Sequence, residues 1–262
     1  MKGYHFNFNH ARNVITRDKN IPYLYKNTLR WKTYVYNMEH RSMIDMNQEM
    51  NPHVKIASST HNWYENIVRG TPRLCPFAPP SISSSSSSSS SNTAVTSNSK
   101  LRIVTSDAKT EEDAIDDVKL EANLLFPDIK NKMDKTIHET TLIVFDESIY
   151  PAIKDFRSFV RLSWQLQSYA IIELGLHTDL QLVLFHPNAS HDTYTERLDT
   201  DAADYTIRSP YPTVHLLREA DVMMAVTSGY PNLNELPERN KAKLRELGIQ
   251  VCQSRLNQCK EN

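Results

Sequence analysis

The chain has 262 residues, 39% of them hydrophobic, so it is long enough to bury one sizeable core. Its formal net charge of −1 argues against a nucleic-acid binder, which needs a basic surface, and no apolar run approaches the roughly 20 residues that cross a bilayer. The three cysteines contain no CxxC pair, which favours an intracellular reducing compartment over a disulfide framework.

The N-terminal region is basic and poor in acids. Residues 1–38 contain seven Lys or Arg and one acidic residue, Asp18. This composition resembles an organelle transit segment, and it equally suits a disordered or partner-binding arm. We therefore predict an N-terminal arm over residues 1–58. The expected location is cytoplasmic, or mitochondrial or plastid if the arm is a transit segment.

A serine tract interrupts the fold. Residues 79–100 offer almost no apolar surface to offset the entropy of ordering, so a flexible loop is predicted there. Before the tract, NWYENIVRG has Trp63 and Ile67 four residues apart and Gly70 as a stop. This pattern predicts a short helix.

Three apolar runs predict buried β-strands. They are LRIVTS at 101–106, TTLIVFD at 140–146 and LQLVLFH at 180–186, and each is too short for a helix. Between the first two, Thr110 is followed by Asp113 three residues later, which predicts a capped helix start.

Helical spacing dominates the remaining segments. One long helix is predicted from Pro151 to Gly175, and two more from about Thr213 and over residues 234–248. The apolar stripe predicted for the long helix consists of Ile153, Phe156, Val160, Trp164 and Ile171.

Strands separated by helices favour an α/β domain, or α+β, because a parallel neighbour requires a long crossover. The sheet is predicted to be small, either three-stranded and mainly parallel or mixed. We expect a single domain over residues 59–250, with a C-terminal tail at 251–262.

Polar residues lie at or just beyond the end of each predicted strand. These are Ser106 and Asp107, Asp146 and Glu147, and His186. If the strands are parallel, their carboxyl ends share one edge, which is where open α/β sheets usually bind ligands. Ordinary polar strand-end residues are the alternative interpretation.

The stretch RSPYPTVHLLRE at 208–219 predicts a stiff approach to a helix, because its prolines fix their own φ angles. Thr213 is the predicted N-cap. Arg208, with the helix N–H groups and dipole, would favour an anion such as phosphate or carboxylate. His215 would then be a neighbouring acid or base. The alternative is a solvated helix face.

Cys75 lies between apolar neighbours in LCPFA. A nucleophilic cysteine needs a lowered pKa and a base, which His186 or His215 would supply if the fold brings them together. A buried, inert thiol is the alternative.

A metal site is a further alternative. Cys75, His186, His215 and Glu219 are acceptable zinc ligands. A harder cation would suit three aspartates, which are Asp199, Asp201 and Asp204. The sequence lacks HExxH, EF-hand and paired CxxC spacings, so no metal ligand is assigned and the cofactor stays open.

Several of these motifs occur together in one family. LCPFA, FHP (185–187) and RSPYPTVHLLRE, taken in order, resemble the family called domain of unknown function 1415 over roughly residues 61–249. The resemblance implies that several residues of these stretches meet at one site, without implying a reaction. They are Cys75, His186, Arg208, Ser209, Tyr211, His215, Arg218 and Glu219.

These observations favour a protein that binds a small anionic molecule. As an enzyme it would perform group transfer or hydrolysis, with Cys75 or a water as nucleophile and His186 or His215 as base. Arg208, Ser209, Tyr211, Arg218 and Glu219 would contact the substrate. The alternatives are a non-catalytic module that binds a metabolite or a protein, and a metal-dependent hydrolase.

Overall fold

The computed structural model describes residues 52–78, 101–126, 140–191, 201–228 and 233–261. The described residues lie in one compact unit. The serine tract and nearly all of the predicted N-terminal arm fall outside them, so the predictions for those segments stay predictions.

The described ranges contain four strands and six α-helices. The strands are β1 (Leu101–Ser106), β2 (Thr140–Phe145), β3 (Leu180–Phe185) and β4 (Thr213–Arg218). The α-helices are α1 (Pro52–Trp63), α2 (Glu111–Leu125), α3 (Phe156–Leu166), α4 (Glu219–Thr227), α5 (Leu236–Leu247) and α6 (Ile249–Glu261). The fold is therefore α/β. Among the described helices, none has both the length and the apolar character needed to cross a bilayer.

The sheet is mixed, with strand order β1-β2-β4-β3. β1 and β2 are parallel, and β4 is antiparallel to both β2 and β3. The three predicted strands consequently all run in the same direction, and β4 is inserted between two of them. The mixed alternative is confirmed, whereas the count of three strands was one too low.

Helices cover both faces of the sheet. On one face, α2 and α3 contribute Val118 and Phe159 to a core with Ile143 of β2. On the other face, α1 and α6 pack Ile56 and Leu256 into a second core. β2 is buried on both faces, which explains its continuous apolar sequence.

The predicted start of α2 is confirmed. Thr110 adopts an extended backbone, its side chain accepts a hydrogen bond from the Asp113 N–H, and the Asp113 carboxylate accepts one from the Thr110 N–H. This reciprocal pair satisfies two donors that the first helical turn leaves without a partner.

The segment predicted as a helix from Thr213 is strand β4, so that prediction was wrong. Its residues pair with β2 on one side and β3 on the other, for example His215 with Leu142 and with Val183. Helix α4 begins only at Glu219. Two neighbouring strands supply hydrogen bonds that override the local helical spacing.

The long helix predicted from Pro151 is divided into shorter pieces. A 3-10 turn at Pro151–Lys154 precedes α3, and a π-helical turn at Gln167–Ile172 follows it. Trp164, predicted in the apolar stripe, is 65% exposed. Asp155 caps α3 by accepting a hydrogen bond from the Ser158 N–H, and the buried side chains of α3 are instead Phe159, Leu162, Ser163 and Leu166.

Both ends of the domain extend beyond the predicted bounds in the structure. α1 begins at Pro52, before the boundary expected at residue 59. α6 occupies most of the predicted tail and buries Cys252, Leu256 and Cys259. Gly248 separates α5 from α6 with a φ of 82°, a backbone conformation that favours glycine.

Candidate anion-binding groove

The carboxyl ends of β1, β2 and β3 share one edge, and the loop before β4 ends there. α1 lies on one face of the sheet near this edge and runs from the end of β1 to the end of β3. At its start, the His53 carbonyl accepts a hydrogen bond of 3.3 Å from the Thr105 hydroxyl of β1. At its end, the Trp63 ring meets the Phe185 ring of β3 edge-on, with 5.1 Å between centroids.

His186 follows β3 and is completely buried. Its Nδ1 accepts a hydrogen bond of 3.0 Å from the Asn188 N–H, so the proton is on Nε2, which donates to the Ile153 carbonyl at 2.9 Å. The ring packs against Phe156 and Phe159 on the α3 face of the sheet. Burial lowers the pKa of His186, and both ring nitrogens are occupied by backbone groups.

His215 lies in the middle of β4 on the opposite face. The Thr140 hydroxyl donates to the Leu216 carbonyl at 2.9 Å, so it accepts the hydrogen bond from His215 Nε2 at 2.5 Å. The His215 ring is 6.2 Å from the Phe185 ring, on the α1 side of the sheet. Burial lowers the pKa of His215 to about 4.

Arg218 and Glu219 lie at the amino edge, away from Arg208. β4 spans about 17 Å from its first to its last residue at roughly 3.4 Å per residue. Arg218 Nε donates to Asp221 at 2.6 Å, and Glu219 accepts a hydrogen bond of 2.5 Å from the Gln181 amide. The structure therefore does not bring these two side chains to the site of Arg208.

Ser209 and Tyr211 shape the turn that enters β4. The hydroxyls of Ser209 and Thr213 both donate to the Tyr211 carbonyl, at 2.6 Å and 2.8 Å. The Tyr211 ring lies under the Lys260 ammonium, 5.2 Å from its centroid, and burial raises the pKa of its hydroxyl. Both residues stabilise the carboxyl edge.

Cys75 lies in a tight turn on the α1 side of the sheet. Its N–H donates to the Val68 carbonyl at 3.1 Å, and its carbonyl accepts from the Ala78 N–H at 3.4 Å. Burial raises the pKa of the Cys75 thiol, and this effect exceeds the opposing effect of hydrogen bonds from the backbone of Phe77 and Ala78. The thiol is on the face opposite His186.

A narrow groove lies between the loop that precedes Cys75, the 3-10 turn at Ala202–Thr206, and helices α5 and α6. Its volume of about 10 Å³ is at the lower limit for a single water molecule. Its walls are apolar apart from the Tyr205 ring and two guanidinium groups, those of Arg208 and Arg255.

Arg208 is held in the groove by three contacts. Its Nε donates to the Ala189 carbonyl at 2.9 Å, and its Cζ lies 4.7 Å from the centroid of the Tyr205 ring. Its Nη2 is 3.8 Å from the buried Asp204 carboxylate, which is too long for a hydrogen bond. The side chain is only 13% exposed, so its charge is desolvated on most sides.

Arg255 projects from α6 across the groove. Its Nη1 donates to the Thr71 carbonyl at 2.7 Å. Neither this residue nor Tyr205 was predicted from the sequence. Tyr205 occurs three residues before Arg208, and this spacing could have suggested an aromatic ring packed against the guanidinium. No local pattern connects Arg255 to Arg208.

Of the alternative metal ligands, Asp199 lies outside the described residues, and the others do not form one cluster. Asp201 pairs with Arg245 at 2.7 Å, and Asp204 accepts a hydrogen bond of 2.9 Å from the His191 N–H. Across the ranges that the structure describes, no three His, Cys, Asp or Glu side chains are arranged to hold a metal ion.

A family model described as "Protein of unknown function (DUF1415)" matches residues 55–254, well over half of the chain. The chain belongs to this family. The DUF1415 match includes all four strands and Arg208, and it ends one residue before Arg255. Comparison with curated proteins gave no match, and neither did comparison with solved structures.

Proposed function

We propose that the protein binds a small anionic molecule at the open side of the groove, near the guanidinium groups of Arg208 and Arg255. The observation that carries this proposal is the presence of two guanidinium groups in one groove whose other walls are nearly all apolar. A desolvated cation interacts more strongly with an anion than an exposed cation does, because less water screens the charge.

The charges around the groove favour an anion. Asp204 offsets part of the Arg208 charge from 3.8 Å. Among the described residues, Arg255 donates to a neutral carbonyl and forms no ion pair. A guanidinium has five N–H donors, so each arginine keeps donors for a bound oxyanion.

The geometry supports binding better than it supports the predicted catalytic set. His186 and His215 lie on opposite faces of the sheet, and each is engaged in hydrogen bonds that fix its position. The thiol of Cys75 has a raised pKa, whereas a nucleophilic cysteine needs a lowered one. We therefore assign the groove a binding role and assign no residue a catalytic step.

We also infer a reducing compartment. All three cysteines are free thiols, and Cys259 donates to the Arg255 carbonyl at 3.2 Å instead of pairing with another cysteine. This arrangement suits a reducing environment, where thiols persist. Thiol labelling of the protein from its native source, read by mass spectrometry, tests the inference, and an isolated disulfide form would contradict it.

Isothermal titration with inorganic phosphate at low ionic strength tests the anion site. We expect saturable binding to the wild type, weakened at least tenfold in Arg208→Gln and in Arg255→Gln. Among the described residues, the Arg255 side chain has one hydrogen bond, to the Thr71 carbonyl, so its variant should fold even if Arg208→Gln does not. Arg157→Gln removes an exposed arginine of α3 and serves as the matched control. Equal binding by Arg255→Gln and the wild type would overturn the proposal.

A further inference from the structure

We infer that two copies of the chain associate through the outer edge of β3 and join their sheets into one continuous antiparallel sheet. This inference does not depend on the anion site. Its basis is the position of β3 at the end of the strand order β1-β2-β4-β3, together with the hydrogen-bonding groups that this edge strand leaves open.

The direction of the β3 peptide groups follows from the pairing of β4. The carbonyl of Pro212, just before β4, accepts a hydrogen bond of 2.9 Å from the Phe145 N–H of β2. Successive residues of an antiparallel strand direct their backbone groups to opposite sides, so the odd-numbered residues of β4 bond to β3. The register pairs His215 with Val183, so the odd-numbered residues of β3 bond back to β4. The even-numbered residues of β3 therefore direct their backbone groups outward.

Two residues on this outer edge have open backbone groups. At the two ends of the strand, the N–H groups of Leu180 and His186 donate to loop carbonyls at 2.9 Å and 3.2 Å. Between them, the N–H and C=O groups of Leu182 and Leu184 have no hydrogen-bond partner within the ranges that the structure describes. An open edge of this kind accepts a further strand.

β3 lacks the features that keep an edge strand from pairing. Its sequence, LQLVLF, contains no charged residue and no proline, and its register with β4 contains no bulge. The strand at the opposite edge, β1, carries Arg102, whose guanidinium pairs with Glu121 at 2.8 Å. Charged side chains are a common protection of edge strands, so the contrast favours β3 as the interface.

The open groups fit a second copy of the same strand. An antiparallel arrangement about a two-fold axis at Val183 places Leu182 opposite Leu184 of the second copy, and each such pair exchanges both N–H···O=C bonds. Shifting this register by two residues pairs one leucine with itself and sets the other against a residue whose N–H is already bonded.

The side chains of β3 also suit its own copy. Leu182 and Leu184 are half-buried against the core on the α3 face, and pairing would bring leucine beside leucine there. Because β3 has no charged side chain, two copies set no like charges opposite each other, and a charged peptide would find no charge partner along the strand. Charge therefore favours a second copy over a charged partner strand.

The test is sedimentation equilibrium of the full chain over a range of concentrations, where we expect the mass to rise from that of one chain toward that of two. Val183 is half-buried and belongs to neither apolar core. Val183→Lys and Val183→Glu each set like charges opposite each other at the axis and should weaken association about tenfold or more. An equimolar mixture of the two variants should restore association, because Lys then faces Glu. Val183→Thr keeps the branched shape without charge and serves as the control.

Hydrogen exchange of the wild type locates the contact without any variant. The amide protons of Leu182 and Leu184 should exchange more slowly as the protein concentration rises. A chain that stays monomeric at every concentration overturns the inference, and so does a mixture of the two charged variants that associates no better than either alone. Association with unchanged exchange at both leucines would place the contact elsewhere and overturn it as well.

Discussion

His186 and His215 lie on opposite faces of one four-stranded sheet, although both occur in the motifs that define the family resemblance. His186 packs against Phe159 of α3, and His215 lies beside Phe185 on the α1 side. The two imidazoles therefore cannot act on one substrate atom, and each is explained by the structure that it stabilises.

Replacing His186 should lower stability strongly. His186→Ala removes a completely buried ring and leaves the Ile153 carbonyl and the Asn188 N–H without their partners. We expect the free energy of unfolding to fall by about 3–5 kcal/mol in urea denaturation. His177→Ala changes an exposed histidine in the loop before β3. Its free energy of unfolding should stay within about 0.5 kcal/mol of the wild-type value. A His186→Ala variant as stable as this control would contradict the structural role.

His215 should make the protein less stable in acid. Its folded-state pKa is about 4, below the ordinary value of 6.5, so the unfolded chain binds the proton more readily. The contribution of neutral His215 to the free energy of unfolding is complete above pH 6.5. As the pH falls from 6.5 toward 4, the free energy of unfolding decreases by about 3 kcal/mol in total. His215→Phe should remove this part of the pH dependence, measured by urea denaturation from pH 7 to pH 4.5. An unchanged slope in the variant would contradict the prediction.

Asp117 should make the protein less stable as the pH rises, which is the opposite of the effect of His215. Burial raises its pKa to about 6, so the folded state binds the proton more readily and stability is lost as pH rises from about 4 to 6. Asp117→Asn can still accept the hydrogen bond from the Ser106 hydroxyl. The variant should be more stable than the wild type at pH 8 by about 1–3 kcal/mol and nearly equal to it at pH 4. Asp116→Asn, an exposed neighbour, is the control, and a less stable Asp117→Asn at pH 8 would refute the prediction.

Cys75 should react slowly with alkylating reagents. Because burial raises its thiol pKa, the rate of reaction with iodoacetamide should rise only above about pH 8.5, the ordinary value for a free thiol. Peptide mapping by mass spectrometry identifies the modified cysteine, and the protein unfolded in urea provides the reference rate. A midpoint below pH 7 would instead support Cys75 as a nucleophile.

The sequence was most informative where the pattern is local. β1 occupies the predicted residues 101–106, and the pairing of Thr110 with Asp113 correctly located the start of α2. A capping box and a short apolar run depend on neighbouring residues alone, so they can be recognised without knowledge of the fold.

The sequence was least informative where distant segments decide the structure. Leu216 and Leu217 fit a helical stripe. In β4 they point to opposite faces of the sheet, because successive side chains of a strand paired with β2 and β3 alternate between the two faces. Arg208 could be proposed as an anion ligand from its own motif. Arg255 could not, because α6 is distant from that motif in the sequence. The two arginines line one groove because α6 packs against the 3-10 turn at Ala202–Thr206.

Crystals of the wild type and of Arg255→Gln grown with selenate test the groove most directly, since selenium locates the anion by anomalous scattering. We expect selenate oxygens within about 3 Å of both guanidinium groups in the wild type, and loss of the anomalous peak in the variant. Anomalous peaks confined to exposed lysines, or an unchanged peak without Arg255, would contradict it.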